Sequence, residues 1–376
     1  MKKILILNYE FPPLGGGGGV AAYKLAKGFV QQGYQVDYIT TSFKGLKKFE
    51  VADGINVYRV RVLGRKDLQT ATMISMLSYP VCALYQGLKL CFKNKYEFIN
   101  TQFVIPTGPL GFILSKLFGI KNIISLHGGD IHDPTKKSSP DRHWILRKII
   151  TFLLNNADSI VAQSSNTQKN TINIYKPNKD IQIIPLPYEP IEFEKISKTD
   201  LGLDENKKYI IGVGRLVKRK GFDFFIKTIT KLPDNISGII IGDGPEMKSL
   251  KKLTVELNIS ERIIFTGFVN QNKKFQYLQN SDIFFLSSVH EGFGIVVQEA
   301  MQVGLPIIAT SNGGQVDLIQ HGVNGYLFDV GDYGSLGNYV NELMKNDELR
   351  DEFGRENLLR ISGFNLRSVC VEYLKL

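Results

Sequence analysis

"SSVHEGFGIVVQEAMQVGLPIIAT", residues Ser287 to Thr310, runs from a Gly-Phe-Gly turn into an amphipathic helical pattern and then into a second apolar run. Glu291 stands before the turn and Glu299 within the helix, with seven residues between them. This spacing puts one carboxylate at the helix mouth and the other about two turns in. Acids inside an otherwise apolar helix are costly unless they accept hydrogen bonds, and sugar hydroxyls supply them. Apolar run, turn, helix and apolar run together read as a unit of a parallel α/β sheet.

The same alternation extends in both directions. Strand-like runs fall at residues 4–7, 36–40, 56–60, 97–101, 122–126, 159–162 and 182–185. They start again at 209–213, 238–241, 263–266, 283–286, 307–309 and 325–328. Between the two series lies "PLPYEPIEFEKISKTDLGLDENKK", rich in proline and charge, which reads as a linker. A chain of 376 residues is long for one core. The expectation is therefore α/β, with two Rossmann-like domains facing across a cleft and ligands at the carboxyl ends of the strands.

Composition excludes several classes. Three cysteines, Cys82, Cys91 and Cys370, form no CxxC pair, which argues for a reducing, cytoplasmic setting without disulfides or structural zinc. Residues 1–190 hold 24 Lys and Arg against 12 Asp and Glu, while the rest hold 22 against 24. The first half thus expects an anionic partner. No helix-turn-helix, zinc-finger or RNA-recognition signature accompanies the charge, so nucleic acid is not expected. The uncharged stretch from Leu68 to Leu88, ahead of Lys89, Lys93 and Lys95, is interrupted by Pro80 and by polar residues. It reads as a pair of packed helices broken at Pro80 rather than a membrane span. An interfacial helix whose lysines meet lipid phosphates is the further reading. Trp144, in "DRHWILRKIITFLL", is expected to anchor an amphipathic helix in the core.

Five consecutive glycines, Gly15–Gly19, follow the first strand. They cannot be placed on GxGxxG, no acid ends the second strand, and no GK[ST] is present, so dinucleotide and Walker-type readings fail. What remains is a bare turn at a helix N-terminus, suited to an anion. "GVGRLVKRKGFDFF" adds Arg215 beyond a strand end and Lys220 at a helix start, two cations suited to a diphosphate leaving group, with Lys218 and Arg219 as solvated neighbours. "LHGGDIH" puts His127 at a strand end in the first half. His127, Asp130 and His132 match no metal motif, and His132, His143, His290 and His321 read as surface or loop residues.

These stretches, with "TQFVIPTG", "ADSIVAQSS", "IIGDGP", "FTGFV" and "SNGG", resemble glycosyltransferase family 4, the retaining nucleotide-sugar enzymes of GT-B fold, along essentially the whole chain. The resemblance implies an acceptor-binding domain over 1–190 and a nucleotide-sugar-binding domain over 191–360. It also implies a C-terminal helix, 361–376, crossing back to the first. It implies that Arg215 and Lys220 bind the donor diphosphate and that Glu299 binds the ribose hydroxyls. Glu291 with the amides of Phe293, Gly294 and Ile295 would hold the sugar. His127 would lie beside the reacting carbon, and Gly16, Gly17 and Gly18 would close on the phosphates. Base recognition would run near residues 266–269.

The implied reaction is retaining transfer from a nucleoside diphosphate sugar to a hydroxyl of a lipid-linked or oligosaccharide acceptor. No metal or other cofactor is expected, and the setting would be polysaccharide or glycolipid assembly. An anionic membrane surface would be a further partner, the protein sitting peripherally on the inner face. A nucleotide-sugar 2-epimerase of the same fold and a non-catalytic sugar-nucleotide binder are the alternatives. "PLPYE", Pro185–Glu189, departs from the family's Pro-Asn-Gly-Val/Ile-Asp at the end of the first domain.

Overall fold

The computed structural model describes residues 2–68 and 70–376. Met1 and Gln69, the latter in the uncharged stretch, lie outside them. The chain forms two compact units, residues 1–189 with 364–376 and residues 190–363. The second boundary falls at Gly363, beyond residue 360, because the penultimate helix continues to Ser362.

The first unit runs β1 (Lys3–Leu7), α1 (Gly17–Gln31), β2 (Gln35–Thr41), β3 (Phe49–Ala52), β4 (Ile55–Val60), α2 (Met73–Lys93), β5 (Phe98–Gln102) and α3 (Gly108–Phe118). It continues through β6 (Lys121–Leu126), α4 (Trp144–Asn156), β7 (Ser159–Ala162), α5 (Ser165–Tyr175) and β8 (Ile181–Ile183). Its sheet order is β3-β4-β2-β1-β5-β6-β7-β8, parallel except for the antiparallel edge pair β3–β4. Strand β3 was absent from the sequence expectation. It alternates half-buried and exposed residues at the sheet edge, so no apolar run marks it.

The second unit runs β9 (Lys208–Val213), α6 (Phe222–Ile229), β10 (Ile236–Ile241), α7 (Met247–Glu256), β11 (Ile263–Gly267), α8 (Gln271–Gln279) and β12 (Ile283–Leu286). Then come α9 (Ile295–Gln302), β13 (Ile307–Thr310), β14 (Gly325–Phe328), α10 (Tyr333–Lys345) and α11 (Asp347–Ser362). Its sheet, β11-β10-β9-β12-β13-β14, is wholly parallel. Both sheets are Rossmann-like. Their central strands are buried along their length, as strands covered by helices on both faces must be.

The last helix, α12 (Leu366–Leu374), packs on α1 in the first unit. Gly28 permits the approach, since a Cβ there would meet Cys370 Sγ. Tyr373 then reaches Phe29 edge-on, and its hydroxyl lies 3.0 Å from Ser125 Oγ.

Two sequence expectations fail here. Residues 73–93 form one helix passing through Pro80, not two. Interior proline costs roughly 3 kcal/mol or more. Here a continuous stripe, Ser75, Tyr79, Ala83, Gly87, Leu90 and Cys91, is buried on one side and offsets it. Trp144 is not a core anchor but 67% exposed, with Lys148 Nζ 5.1 Å from its ring centre. Ile150, Leu153 and Leu154 are the residues α4 buries.

Candidate active site

In the second unit the turn after β9 is stitched to the segment after β12. Gly221 adopts φ +64°, and a side chain there would strike the Ser287 carbonyl. Ser287 Oγ donates to the Lys220 carbonyl at 2.8 Å, and Val289 N donates to that of Arg219 at 2.8 Å. Arg219 Nη1 donates to the His290 carbonyl at 3.2 Å. Arg219 is thus a clamp rather than a solvated cation, and His290 is a loop residue, as expected, but a buried one. The stitching brings Lys220 Nζ onto the Glu291 carboxylate.

Burial would raise the Glu291 carboxyl. The charge and hydrogen bond of Lys220, followed by Arg219 and His290, outweigh burial and hold it below its ordinary value. Arg215, just past β9, is exposed, and its guanidinium has no ion-pair or hydrogen-bond partner among the described residues.

The Gly-Phe-Gly turn is braced from behind. Gly314 N donates to the Glu291 carbonyl at 2.8 Å, and a Cβ on Gly314 would collide with Gly292 O. Gln315, fully buried, donates to the carbonyls of Thr310 and Asn312 at 2.8 and 2.9 Å. Gly294, at φ +109°, caps α9, and Ile295 opens its first turn, where amides lack intrahelical partners. Phe293 is buried beside them. Because α9 starts at Ile295, Glu299 stands about one turn in, roughly 6 Å along the axis, rather than two.

Glu299 Oε1 accepts from Lys274 Nζ at 2.6 Å, while Oε2 is buried with no hydrogen-bond partner among the described residues. An unpartnered buried carboxylate oxygen is a vacancy for a hydroxyl donor. Lys274, on α8, was missed by sequence reasoning. In "NQNKKFQYLQ" it looks like half of a solvated lysine pair, and its partner lies 25 residues away.

In the first unit His127 directly follows β6. Its Nε2 lies 2.6 Å from Gln102 Oε1, on the neighbouring strand β5. Gln102 in turn donates to Asn100, which donates to Ser125 Oγ at 3.0 Å. The direction of that chain makes Gln102 Oε1 the acceptor and puts the imidazole proton on Nε2. The Phe103 ring stacks on the imidazole with centroids 4.1 Å apart. Burial depresses the His127 pKa to about 4, so the ring is neutral at physiological pH. Asp130 accepts from the backbone of His127 and of Val104, at 2.9 and 2.8 Å, and burial raises its carboxyl to about 6.

The glycine loop is only partly open to a ligand. Glu10 Oε2 accepts from Gly16 N at 3.1 Å and Gly19 N at 3.2 Å, occupying part of the α1 N-terminus. Among the described residues the amides of Gly17 and Gly18 have no partner. Side chains at positions 15 and 18 would collide with Glu10 and with the Phe103 ring, whereas position 16 meets nothing. The glycines are therefore required partly by the chain's own packing. At residues 266–269, Gly267 accepts from Gly242 N at 2.9 Å and Phe268 is 79% exposed. Among the described residues no group of three or more His, Cys, Asp or Glu is arranged to hold a metal.

Known proteins share this organisation. The family model for glycosyltransferase family 4 matches residues 15–190, and that for glycosyl transferases group 1 matches 193–359. N-acetyl-alpha-D-glucosaminyl L-malate synthase of Bacillus anthracis is 29% identical over 358 residues, covering 91% of this chain and 88% of the relative. Alpha-monoglucosyldiacylglycerol synthase of Streptococcus pneumoniae is 23% identical over 349 residues, covering 89% and 77%. The Anabaena protein HepE, solved with UDP and glucose, superposes with a TM-score of 0.78 at 21% identity, covering 100% of this chain and 99% of that one. The chain belongs to the family-4-like glycosyltransferases of GT-B fold.

Proposed function

We propose that this glycosyltransferase moves a sugar from a nucleoside diphosphate donor to a hydroxyl of a glycan or lipid-borne acceptor, retaining anomeric configuration and needing no metal. One observation carries the donor reading. Two carboxylates, the half-buried Glu291 and the buried Glu299, flank the start of α9, each held by a lysine, and Glu299 keeps one buried oxygen without a partner among the described residues. Glu299 takes the ribose hydroxyls. Glu291 with the amides of Phe293, Gly294 and Ile295 takes the sugar. Arg215 and Lys220 stabilise the leaving diphosphate, which removes the need for a metal. His127 attends the transferred sugar as a neutral imidazole, and Gly16–Gly18 attend the phosphates.

Retention follows from the family resemblance, with attack on the face the diphosphate leaves and the departing phosphate taking the acceptor's proton. One relative, named for synthesis of a glucosyl diacylglycerol, supports the lipid-borne acceptor, and HepE, solved with UDP, supports the donor; another is named for synthesis of an N-acetylglucosaminyl malate. The setting that fits a lipid-borne acceptor such as a diacylglycerol is the inner face of a membrane, in glycolipid or polysaccharide assembly.

The test needs no acceptor. The chain is incubated with UDP-glucose, UDP-N-acetylglucosamine or GDP-mannose, and slow hydrolysis is followed by proton NMR. The expected result is free nucleoside diphosphate with the α-hexose appearing first, unchanged by EDTA. The β-anomer first, loss of turnover in EDTA, or an epimerised nucleotide sugar would each overturn the reading.

A further inference from the structure

Helix α2 is apolar on both faces. Its inner stripe packs on the sheet, yet its outer face is also apolar, with Leu77 60%, Val81 76%, Tyr85 75% and Phe92 78% exposed. The neighbouring helices continue the pattern. Leu117 on α3 is 65% exposed, and on α4 Trp144, Ile145 and Phe152 face solvent. Ring contacts join the three into one surface: Phe92 meets Phe118 with centroids 4.9 Å apart, and Phe112 meets Phe152 at 5.0 Å. Helices α2 and α3, and α3 and α4, are packed neighbours on the same side of the sheet. Soluble monomers rarely expose a continuous apolar surface of this kind.

The charge on these helices says what covers it. Helices α2, α3 and α4 carry Lys89, Lys93, Lys116, Arg147 and Lys148 and not one Asp or Glu. Lys95 follows directly, and no acid occurs between Asp67 and Glu97. Two copies meeting through this face would set like charges together, since a two-fold interface is self-complementary. A bilayer with anionic headgroups accepts both features, the apolar side chains below the headgroups and the cations among them. No helix of the described residues is long and apolar enough to cross a membrane, so the contact is in-plane.

We propose that the outer face of α2, α3 and α4 docks the first unit onto an anionic lipid surface, with Trp144 as its interfacial anchor. The helices of such a sheet run opposite to the strands. The N-terminal ends of α2 and α4, carrying Met73 and Trp144, therefore lie at the strand carboxyl edge, where β6 delivers His127. Docking presents that edge to groups borne on lipid. The inference rests on the lipid-borne acceptor reading for its purpose, while its evidence is this surface alone.

Trp144 is the one tryptophan of the sequence, so its fluorescence reports the contact directly. The full chain is titrated with vesicles of phosphatidylcholine, and with vesicles that also contain phosphatidylglycerol. The expected result is a blue shift and co-sedimentation with the anionic vesicles alone, weakened by salt. Leu77→Ser/Val81→Ser/Tyr85→Ser and Lys89→Glu/Lys93→Glu/Lys95→Glu variants should each lose at least tenfold in vesicle affinity. All six residues are exposed or lie beyond the core stripe, so hydrolysis of the nucleotide sugar in lipid-free buffer should stay at the parent rate. That arm separates a failure of the docking face from a failure of the transferase reading. Unchanged Trp144 emission on anionic vesicles, or variants that bind like the parent, would overturn the proposal. So would a doubled mass in lipid-free solution that the α2 variant abolishes, which would assign the face to a second copy.

Discussion

Lys274 Nζ lies 2.6 Å from Oε1 of Glu299, and both side chains are largely withdrawn from water. Removing one partner of such a pair strands the other charge, at a cost of about 3–5 kcal/mol. Lys274→Met should therefore lower unfolding stability by that order in denaturant titration. Adding Glu299→Gln should recover much of the loss while leaving nucleotide affinity poor, because the ribose acceptor is gone. Losses that simply add would show that the two residues act independently.

Glu291 responds to Lys220 in a way pH can read. Its folded carboxyl is held below the ordinary value of 4.5, by Lys220 foremost against the opposing effect of burial. The stabilisation is fully present above that value and is lost as pH falls through the lower, folded one. Lys220→Met should destabilise the chain at neutral pH, and the difference from the parent should shrink through the acid range. In the variant, burial is no longer opposed by Lys220, so the acid limb of the hydrolysis rate should move upward. A limb that stays in place would separate Glu291 from the chemistry.

His127 and Asp130 shift in opposite senses and meet through the His127 backbone amide at 2.9 Å. Burial lowers the imidazole to about 4, so its contribution is present above its ordinary 6.5 and fades as pH falls toward 4. Burial raises Asp130 to about 6, so its contribution is present below its ordinary 3.8 and fades as pH rises to 6. Each is worth about 3 kcal/mol, and they oppose one another between those limits. In the parent the two contributions should nearly cancel from pH 4 to 6. Asp130→Asn should gain stability with rising pH there, and His127→Asn should lose it, as read by urea midpoints.

The glycine run separates packing from ligand binding. Gly15→Ala meets Glu10 and a positive φ, and Gly18→Ala meets Phe103, so each should cost about 1–3 kcal/mol. Gly16→Ala meets nothing and should change stability by no more than about 0.5 kcal/mol. A reduced rate in well-folded Gly16→Ala would therefore report on substrate, with thermal unfolding as the control.

The α/β alternation was legible because each strand and helix is marked within a short stretch, and the Lys220–Glu291 contact joins two residues that the sequence had singled out. The partners that hold Glu299 and His127 were not legible. Lys274 reaches Glu299 from another helix, and Gln102 reaches His127 across adjacent strands, so no local pattern joins them. Helix α2 shows a different limit. Periodicity identifies an apolar face, but where inner and outer faces are both apolar it cannot say which is buried. For the same reason Trp144 read as core and stands in solvent. The Pro80 break was a local rule overridden by a stripe of packed residues. Glu10 beneath the glycine loop was invisible because its role is a contact between turns of one loop.

A nucleoside diphosphate site in the second unit is read out by thermal unfolding in the presence of UDP, GDP and ADP. A ligand bound only by the native state at a hundredfold over its dissociation constant adds about 2.7 kcal/mol. One of the three nucleotides should stabilise the parent by that order and leave Arg215→Ala/Lys220→Ala unmoved. Stabilisation by none of them, or equal stabilisation of the double variant, would contradict the assignment.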